Sequence, residues 1–151
     1  MVLDLSGCLQ HYDNHGIFFE YPDIWEITEE IEPDGDVLIT VSADGACFWA
    51  IRILASSPAP PDVVGSCVSA FQEEYEDVDE YPSSGQLAQM PAYGRDLEFS
   101  CFELLNTVSL KSVRGPEFTI LVWWQGTDHE LGDVRPVFEQ ITSTVRIKKL
   151  M

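Results

Sequence analysis

The most constraining feature of the chain is a pair of segments, Val37–Ala43 and Ala46–Leu54, that are apolar on both alternating faces. Between them stands Asp44-Gly45, a two-residue loop that suits a type I′ turn. Such a loop fixes the strand register, because its flanking residues must face each other. The predicted cross-strand pairs are Val41 with Phe48, Thr40 with Trp49, and Leu38 with Ile51. Since both faces are apolar, the sheet must be covered on both sides.

Two helices are predicted as this cover. The first begins at Pro61 and Asp62, where a missing N–H and a negative charge are both favourable. Its apolar stripe is Val64, Cys67, Val68, Phe71 and Tyr75. The second runs over Val134–Val145, with Asp133 as its cap and Pro136 in its first turn. Its stripe repeats the same offsets with Val134, Val137, Phe138, Ile141 and Val145.

Further strands are predicted from short apolar runs bounded by turn residues. They cover Gly16–Tyr21, Trp25–Ile31, Gln86–Met90, Leu97–Leu104, Thr107–Val113 and Phe118–Trp124. The last three are joined through Leu105-Asn106 and Arg114-Gly115-Pro116, which are short enough for antiparallel neighbours. The predicted fold class is α+β, an αβα sandwich with a central antiparallel sheet of about six strands and two main helices. We expect one domain over residues 1–151, with residues 1–14 as a loosely ordered N-terminal arm.

The charge of the chain is strongly negative and unevenly distributed. Its 26 acidic and 8 basic residues give a net charge of -18. Residues 1–94 contain 18 acids and a single base, whereas residues 95–151 contain 8 acids and 7 bases. A field of this sign repels nucleic-acid phosphates and anionic membranes, and favours basic partners or cations. The alternative is that the charge serves solubility.

The densest acidic run marks the predicted partner-binding surface. It consists of Glu73, Glu74, Glu76, Asp77, Asp79 and Glu80, at the end of the first helix. Carboxylates at a helix C-terminus oppose the macrodipole, so we expect the helix to fray there. Our first functional hypothesis is a non-catalytic accessory or protein-interaction domain that docks a basic partner on this run. A solvated helix end is the alternative interpretation.

The tryptophans suggest a second hypothesis. Trp123 and Trp124 are adjacent on a strand, so they must point to opposite faces of the sheet. A small ligand could then bind in a pocket between the sheet and a helix, lined by Trp49 or Trp124. The alternative is that these side chains are buried in the core.

The sequence offers little for catalysis or metal binding. His11, Asp13 and His15 would share one face of an extended segment and supply two imidazoles and a carboxylate, but a turn over 13–16 would scatter them. Asp34-Gly35-Asp36 lacks the further offsets of a calcium loop. His129 lies between two acids, yet no G-x-S-x-G nucleophile motif accompanies it. We therefore predict no enzyme activity, no cofactor and no metal site.

The cysteines and the N-terminus bear on location. Cys8, Cys47, Cys67 and Cys101 are widely spaced, which favours buried reduced thiols, with two long-range disulfides as the alternative in an exported protein. Leu5–Cys8 has the letters of a lipoprotein cleavage site, but no basic and apolar leader precedes it. No run of about 18 apolar residues is present. We expect a cytoplasmic protein that does not bind membranes.

One segment resembles a known family. Phe18–Trp25 (FFEYPDIW) is similar to the F-x-Y-P-x-x-W opening of the PsbP-like superfamily, whose fold is shared by the photosystem II extrinsic subunit and the Ran-binding Mog family. Phe138–Ile147 (FEQITSTVRI) resembles its usual closing helix and short strand. The resemblance implies an αβα sandwich and carries no catalytic residues. No partner-binding motif of the Ran-binding branch can be matched in this chain.

Overall fold

The computed structural model describes residues 9–43 and 45–148 and has the predicted α+β architecture. The elements in chain order are β1 (Leu9–Asn14), β2 (Ile17–Pro22), β3 (Glu26–Ile31), β4 (Val37–Ser42), β5 (Phe48–Leu54), α1 (Pro60–Glu74), β6 (Asp79–Ser83), β7 (Gln86–Leu87), β8 (Met90–Pro91), β9 (Tyr93–Cys101), β10 (Leu104–Arg114), β11 (Thr119–Thr127), α2 (Asp128–Thr144) and β12 (Arg146–Ile147). Seven strands form one antiparallel sheet in the order β3-β4-β5-β11-β10-β9-β6.

The two helices cover opposite faces of this sheet. Strand β11 shows the division, since alternate residues belong to two separate cores. Ile120, Val122 and Trp124 join the core under α2, whereas Leu121 and Trp123 join the core under α1. The predicted sandwich with two main helices is therefore confirmed. The cover on the α1 side is incomplete over β4, because Leu38 and Thr40 are only half-buried on the face away from α2.

A second, smaller sheet closes the α2 side. Its strand order is β1-β2-β12, and all its pairs are antiparallel. Residues 9–14, which the sequence places in a loose arm, form β1 and pair with β2 from Leu9↔Pro22 to Asn14↔Ile17. Residues 1–8, including the Leu5–Cys8 pattern, lie outside the described part of the chain.

The predicted register of the central hairpin is wrong by one residue. Strands β4 and β5 pair as Val41↔Trp49, Ile39↔Ile51 and Val37↔Ile53. The Ala43 N–H donates to the Cys47 carbonyl oxygen at 3.3 Å, so this hydrogen bond closes a loop of three residues, 44–46, rather than the predicted two. This register places six buried apolar side chains on the face under α2, and that burial outweighs the local preference of Asp44-Gly45 for a two-residue turn.

The turn between β9 and β10 also differs from the prediction. Cys101 pairs with Leu104, so the turn is Phe102-Glu103 and Leu105-Asn106 belongs to the strand. Phe102 and Glu103 have φ angles of 51° and 64°, as a type I′ turn requires. Bulky residues rarely adopt this conformation, so residue type alone does not predict a turn at these positions. The predicted strand at Gln86–Met90 is instead a small hairpin of β7 and β8.

Helix α2 begins earlier than predicted. Its N-cap is Thr127, which forms a capping box with Glu130, so Asp133 lies inside the helix rather than at its cap. Pro136 consequently stands within the helix and not in its first turn. The signal was present in the sequence as Thr-x-x-Glu, the capping-box pattern. Helix α1 has the predicted stripe and ends at Glu74, within the acidic run.

Candidate functional site

The six acids of the predicted partner-binding surface lie together but on different elements. Glu73 and Glu74 occupy the last turn of α1, Glu76 and Asp77 the following connection, and Asp79 and Glu80 the start of β6. All six residues are exposed. Within the described residues, only Glu80 forms an ion pair, with Arg95 at 3.0 Å. The structure thus groups five carboxylates that no cation in the described chain neutralises.

Strand β6 makes this surface an edge of the main sheet. Among the described strands it pairs with β9 alone, with Asp79 opposite Glu98 and Tyr81 opposite Asp96. The carboxylates of Asp79 and Glu98 raise the pKa of the Tyr81 phenol above its ordinary range. Acidic side chains and Pro82 are also features that natural edge strands use against unwanted pairing. The acidic edge is therefore compatible with both binding and protection.

An exposed apolar tip adjoins the acids. Phe102 is 95% exposed, and Leu104 and Leu105 are 52% and 40% exposed. Strands β6 and β9 are antiparallel, and Asp79 pairs with Glu98. The residues just before Asp79 therefore lie beside the residues that follow Glu98 and lead to Phe102. The Tyr75 ring, which follows α1, stacks on the Phe99 ring of β9 with 4.1 Å between the ring centroids, so these two segments are in contact. We call the acids at 73–80 together with Phe102, Leu104 and Leu105 the tip surface. Sequence reasoning missed the apolar half, because it placed Phe102 and Leu104 inside a strand and only Leu105 in the turn.

A cleft opens between the sheet and α2. Its volume is about 310 Å³. The residues on which its chemistry depends are Asp96, Ser109, Lys111, Trp124, Arg135 and Glu139. The first four come from β9, β10 and β11, and the last two from α2. We call this the α2 cleft.

The two tryptophans of the ligand hypothesis have different positions. Trp49 is fully buried and its Nε1–H donates to Thr142 Oγ1 at 2.9 Å, so none of its surface is open to a ligand. Trp124 is 5% exposed and lines the α2 cleft, where Arg135 lies over its ring at 5.2 Å. Trp123 points to the opposite face, as predicted.

His11, Asp13 and His15 do not converge on a common point. His11 Nε2 lies 3.5 Å from Glu20, and Asp13 accepts from Lys148 Nζ at 2.7 and 2.8 Å. His15 Nε2 contacts Glu29 at 3.0 Å, and Tyr12 also donates to Glu29 at 2.8 Å. These bonds hold the pKa of Glu29 below its ordinary range, His15 having the larger effect. The cluster fastens β1 to β3 rather than forming a metal centre.

Glu32, Asp34 and Asp36 bring carboxylate oxygens within 4.8 Å of one another. Arg52 already occupies this group, because its Nη2 lies 2.8 Å from Glu32 and 3.7 Å from Asp36. Asp36 also accepts from the Ala55 N–H at 3.0 Å. The group is a structural ion pair at the β3–β4 turn.

The remaining candidate residues have structural surroundings. None of the three cysteines that the structure describes is joined to another of them, and burial raises the pKa of the Cys67 thiol. His129 lies exposed in the first turn of α2, beside the capping residue Glu130. Over residues 9–43 and 45–148, no helix is long and apolar enough to cross a membrane.

Comparison with known proteins identifies the fold. No family model and no curated protein matches the sequence. A protein of unknown function from Pseudomonas aeruginosa, described as a putative regulator, is similar in structure over 96% of this chain and 100% of its own, with 15% identity and a TM-score of 0.56. Cyanobacterial PsbP from Synechocystis covers 93% of this chain and 92% of its own, with 14% identity and a TM-score of 0.54.

LpqN of Mycobacterium tuberculosis, a protein involved in cell envelope biogenesis, is similar over 95% of this chain and 94% of its own, with 13% identity and a TM-score of 0.52.

The Phe18–Trp25 motif, which resembles the opening of the PsbP-like superfamily, has a clear structural role here. Phe19, Tyr21 and Trp25 are buried, and Trp25 packs edge-on against Phe138 of α2 at 5.6 Å. The motif thus seats α2 on the small sheet, and the chain has the PsbP-like fold.

Proposed function

We propose that this protein is a non-catalytic accessory domain that docks a basic protein partner on the tip surface. The observation that carries the proposal is the exposed Phe102 ring beside unpaired carboxylates. Interfaces of this kind combine an aromatic anchor with a charged rim. The carboxylates would steer a basic partner and the ring would supply the short-range affinity.

The backbone at the tip supports a binding role. A phenylalanine at φ 51° costs free energy that glycine or asparagine would avoid. An exposed side chain that contributes no packing does not compensate for that cost. A binding partner that covers the ring would account for its position. The similar structures described as a putative regulator and as a cell-envelope protein are compatible with a role other than catalysis.

The acidic half is tested by charge reversal. Glu73, Glu74 and Glu76 are changed together to Lys, and capture of partners from source-cell lysate is compared at low and high salt. A basic partner should be retained by the wild type at low salt, released at high salt and lost by the variant. The matched control reverses Asp23, Glu26 and Glu30, which are exposed acids on and beside β3, the opposite edge of the sheet. Equal loss in both variants would contradict a specific surface.

The apolar half is tested by Phe102→Asn combined with Glu103→Gly. This pair suits a type I′ turn, so the fold is kept while the ring is removed. Binding of the captured partner, measured by calorimetry, should weaken by about tenfold or more, as expected for an aromatic anchor. Unchanged affinity would remove Phe102 from the interface. The cytoplasmic location is a prediction that cell fractionation tests.

A further inference from the structure

The α2 cleft forms where α2 leaves the sheet. One cross-strand row runs from Trp49 through Trp124 and Ser109 to Asp96. Directly opposite residues of antiparallel strands share a face, so the row passes from the buried core to an open polar floor. The neighbouring row brings Lys111 beside Gly94, which has no side chain to fill the space. The cleft is therefore polar at the sheet and bounded by Trp124 on its apolar side.

Its charges are unusual for this chain. The side chain of Lys111 is half-buried, and its ammonium group forms no hydrogen bond or ion pair within the described ranges. Asp96 is likewise half-buried and unpaired within them. Arg135 at the rim uses Nε to contact Glu139 at 3.2 Å, which leaves its terminal nitrogens open. A protein with 8 basic residues thus directs two of them into one cavity that also contains an unpaired carboxylate.

We propose that the α2 cleft binds a small zwitterionic amino acid. Lys111 and Arg135 hold its carboxylate, Asp96 holds its ammonium group, and the Ser109 hydroxyl donates between them. The unpaired charges favour this class, because a half-buried charge gains most from an opposite charge with which it can hydrogen bond. A zwitterion has no net charge, so the field of a chain with net charge -18 does not repel it.

The spacing sets the size of the ligand. Asp96 stands opposite Ser109, and Lys111 follows two residues later on the same face. In this diagonal arrangement the Cα atoms of Asp96 and Lys111 lie about 7–8 Å apart, on the same face of the sheet as Ser109. A short aliphatic linker between the two ligand charges fits that separation. The cleft volume of about 310 Å³ is at the small end of the range for ligand sites and suits a molecule of this size.

The probe for the test is γ-aminobutyrate, with glycine as the shorter zwitterion. Titration into the wild-type protein should move amide signals of Ser109 and Lys111 and the Trp124 indole signal in ¹H–¹⁵N spectra. Lys111→Met should weaken binding by about tenfold or more, since a charge-assisted hydrogen bond is lost. The matched control is Arg114→Met, which removes an exposed, unpaired cation from the same strand outside the cleft. It should bind like the wild type.

Asp96 separates a zwitterion site from a simple anion site. Asp96→Asn should weaken γ-aminobutyrate about tenfold and leave butyrate unaffected, because butyrate lacks the ammonium group. Thermal unfolding of each variant shows whether the fold is kept. Absence of shifts in the wild-type protein at millimolar probe overturns the proposal, and so does equal binding of butyrate and γ-aminobutyrate. The result is independent of the tip surface, whose variants should bind the probe normally.

Discussion

The two faces of the main sheet are closed in different ways. Under α1 the buried residues are apolar except for Ser112 and Thr119, whose hydroxyls donate to the carbonyl oxygens of Ile120 and Pro58, and β9 contributes Leu97 and Phe99. Under α2 the core is larger, yet on that face β9 presents Gly94 and Asp96. Helix α1 packs on β9, β10 and β11, whereas α2 packs on β2, β11 and β10. The shift of α2 toward the small sheet leaves one face partly open, and the same strands therefore form a sealed core on one side and a cleft on the other.

The largest expected difference between the faces comes from two matched core truncations. Phe138→Ala should destabilise the protein by about 4–5 kcal/mol and Phe99→Ala by about 3 kcal/mol, since the cost depends on how well the site collapses. Phe138 is fully buried beside Trp25 and Trp124. Phe99 packs on Phe71 and Tyr75, which are partly exposed and can close over the gap. Urea unfolding measures the free energy of unfolding of both variants. Equal losses of unfolding free energy would show that the two faces are equally rigid.

The buried hydrogen bond under α2 should have the next largest effect. Thr142→Val removes the acceptor for the Trp49 indole N–H and should cost about 1–3 kcal/mol, because a buried donor is left unpaired. Trp49→Phe added to Thr142→Val removes the orphaned donor. The double variant should then show a favourable coupling in a double-mutant cycle of unfolding free energies. Strict additivity would mean that the bond contributes nothing.

Glu130 fastens the beginning of α2, and its effect depends on pH. The hydrogen bond from the Ala46 N–H is the main cause that holds the pKa of the Glu130 carboxyl below its ordinary range, and hydrogen bonds from Thr127 act in the same direction. A depressed folded-state pKa contributes stability above the unfolded value of about 4.3 and loses it as pH falls through the folded value. Glu130→Gln should therefore cost about 1 kcal/mol at pH 7 and much less at pH 3. Glu117→Gln, at an exposed turn, is the control. If the difference in unfolding free energy between the wild type and Glu130→Gln is the same at pH 7 and pH 3, the Glu130 carboxylate does not stabilise the fold in this way.

Helix α1 offers the smallest effect, in the opposite direction. Its N-cap is Ala59, which forms no capping hydrogen bond, although its extended backbone suits a capping residue. Ala59→Ser should raise the unfolding free energy by about 0.5 kcal/mol, because its hydroxyl oxygen would accept from the Asp62 N–H, which now donates to the Ala59 carbonyl oxygen at 3.0 Å. Ala59→Val, which has no capping oxygen, should give no gain. Thermal unfolding distinguishes the two.

Patterns within one element were predictable from the sequence. The α1 stripe and the opposite directions of Trp123 and Trp124 follow from periods of 3.6 and 2, and the structure confirms both. The order of elements and the Phe18–Trp25 motif were sufficient for the fold. Local turn chemistry was less reliable, because the β4–β5 register depends on burial across the whole pair of strands rather than on Asp44-Gly45.

The candidate sites were only partly predictable. The acidic run was visible, but β6 was not, because alternating acids and Pro82 have low strand propensity and the strand forms only by pairing with β9. The α2 cleft could not be derived, since Asp96, Lys111 and Arg135 are separated in sequence and meet only through sheet register and helix placement. Trp49 and Trp124 are similar in sequence context, and only the extent of α2 distinguishes a core residue from a cleft wall.

Both outer strands of the main sheet, β3 and β6, carry exposed carboxylates, among them Glu26, Glu30 and Asp79. Their mutual repulsion keeps one molecule's open edge from extending the sheet of another. Uncharged residues at these positions would leave each outer strand open to pairing with the edge of a second molecule, so the same acids that give the chain its charge also stop its sheet from growing into a polymer.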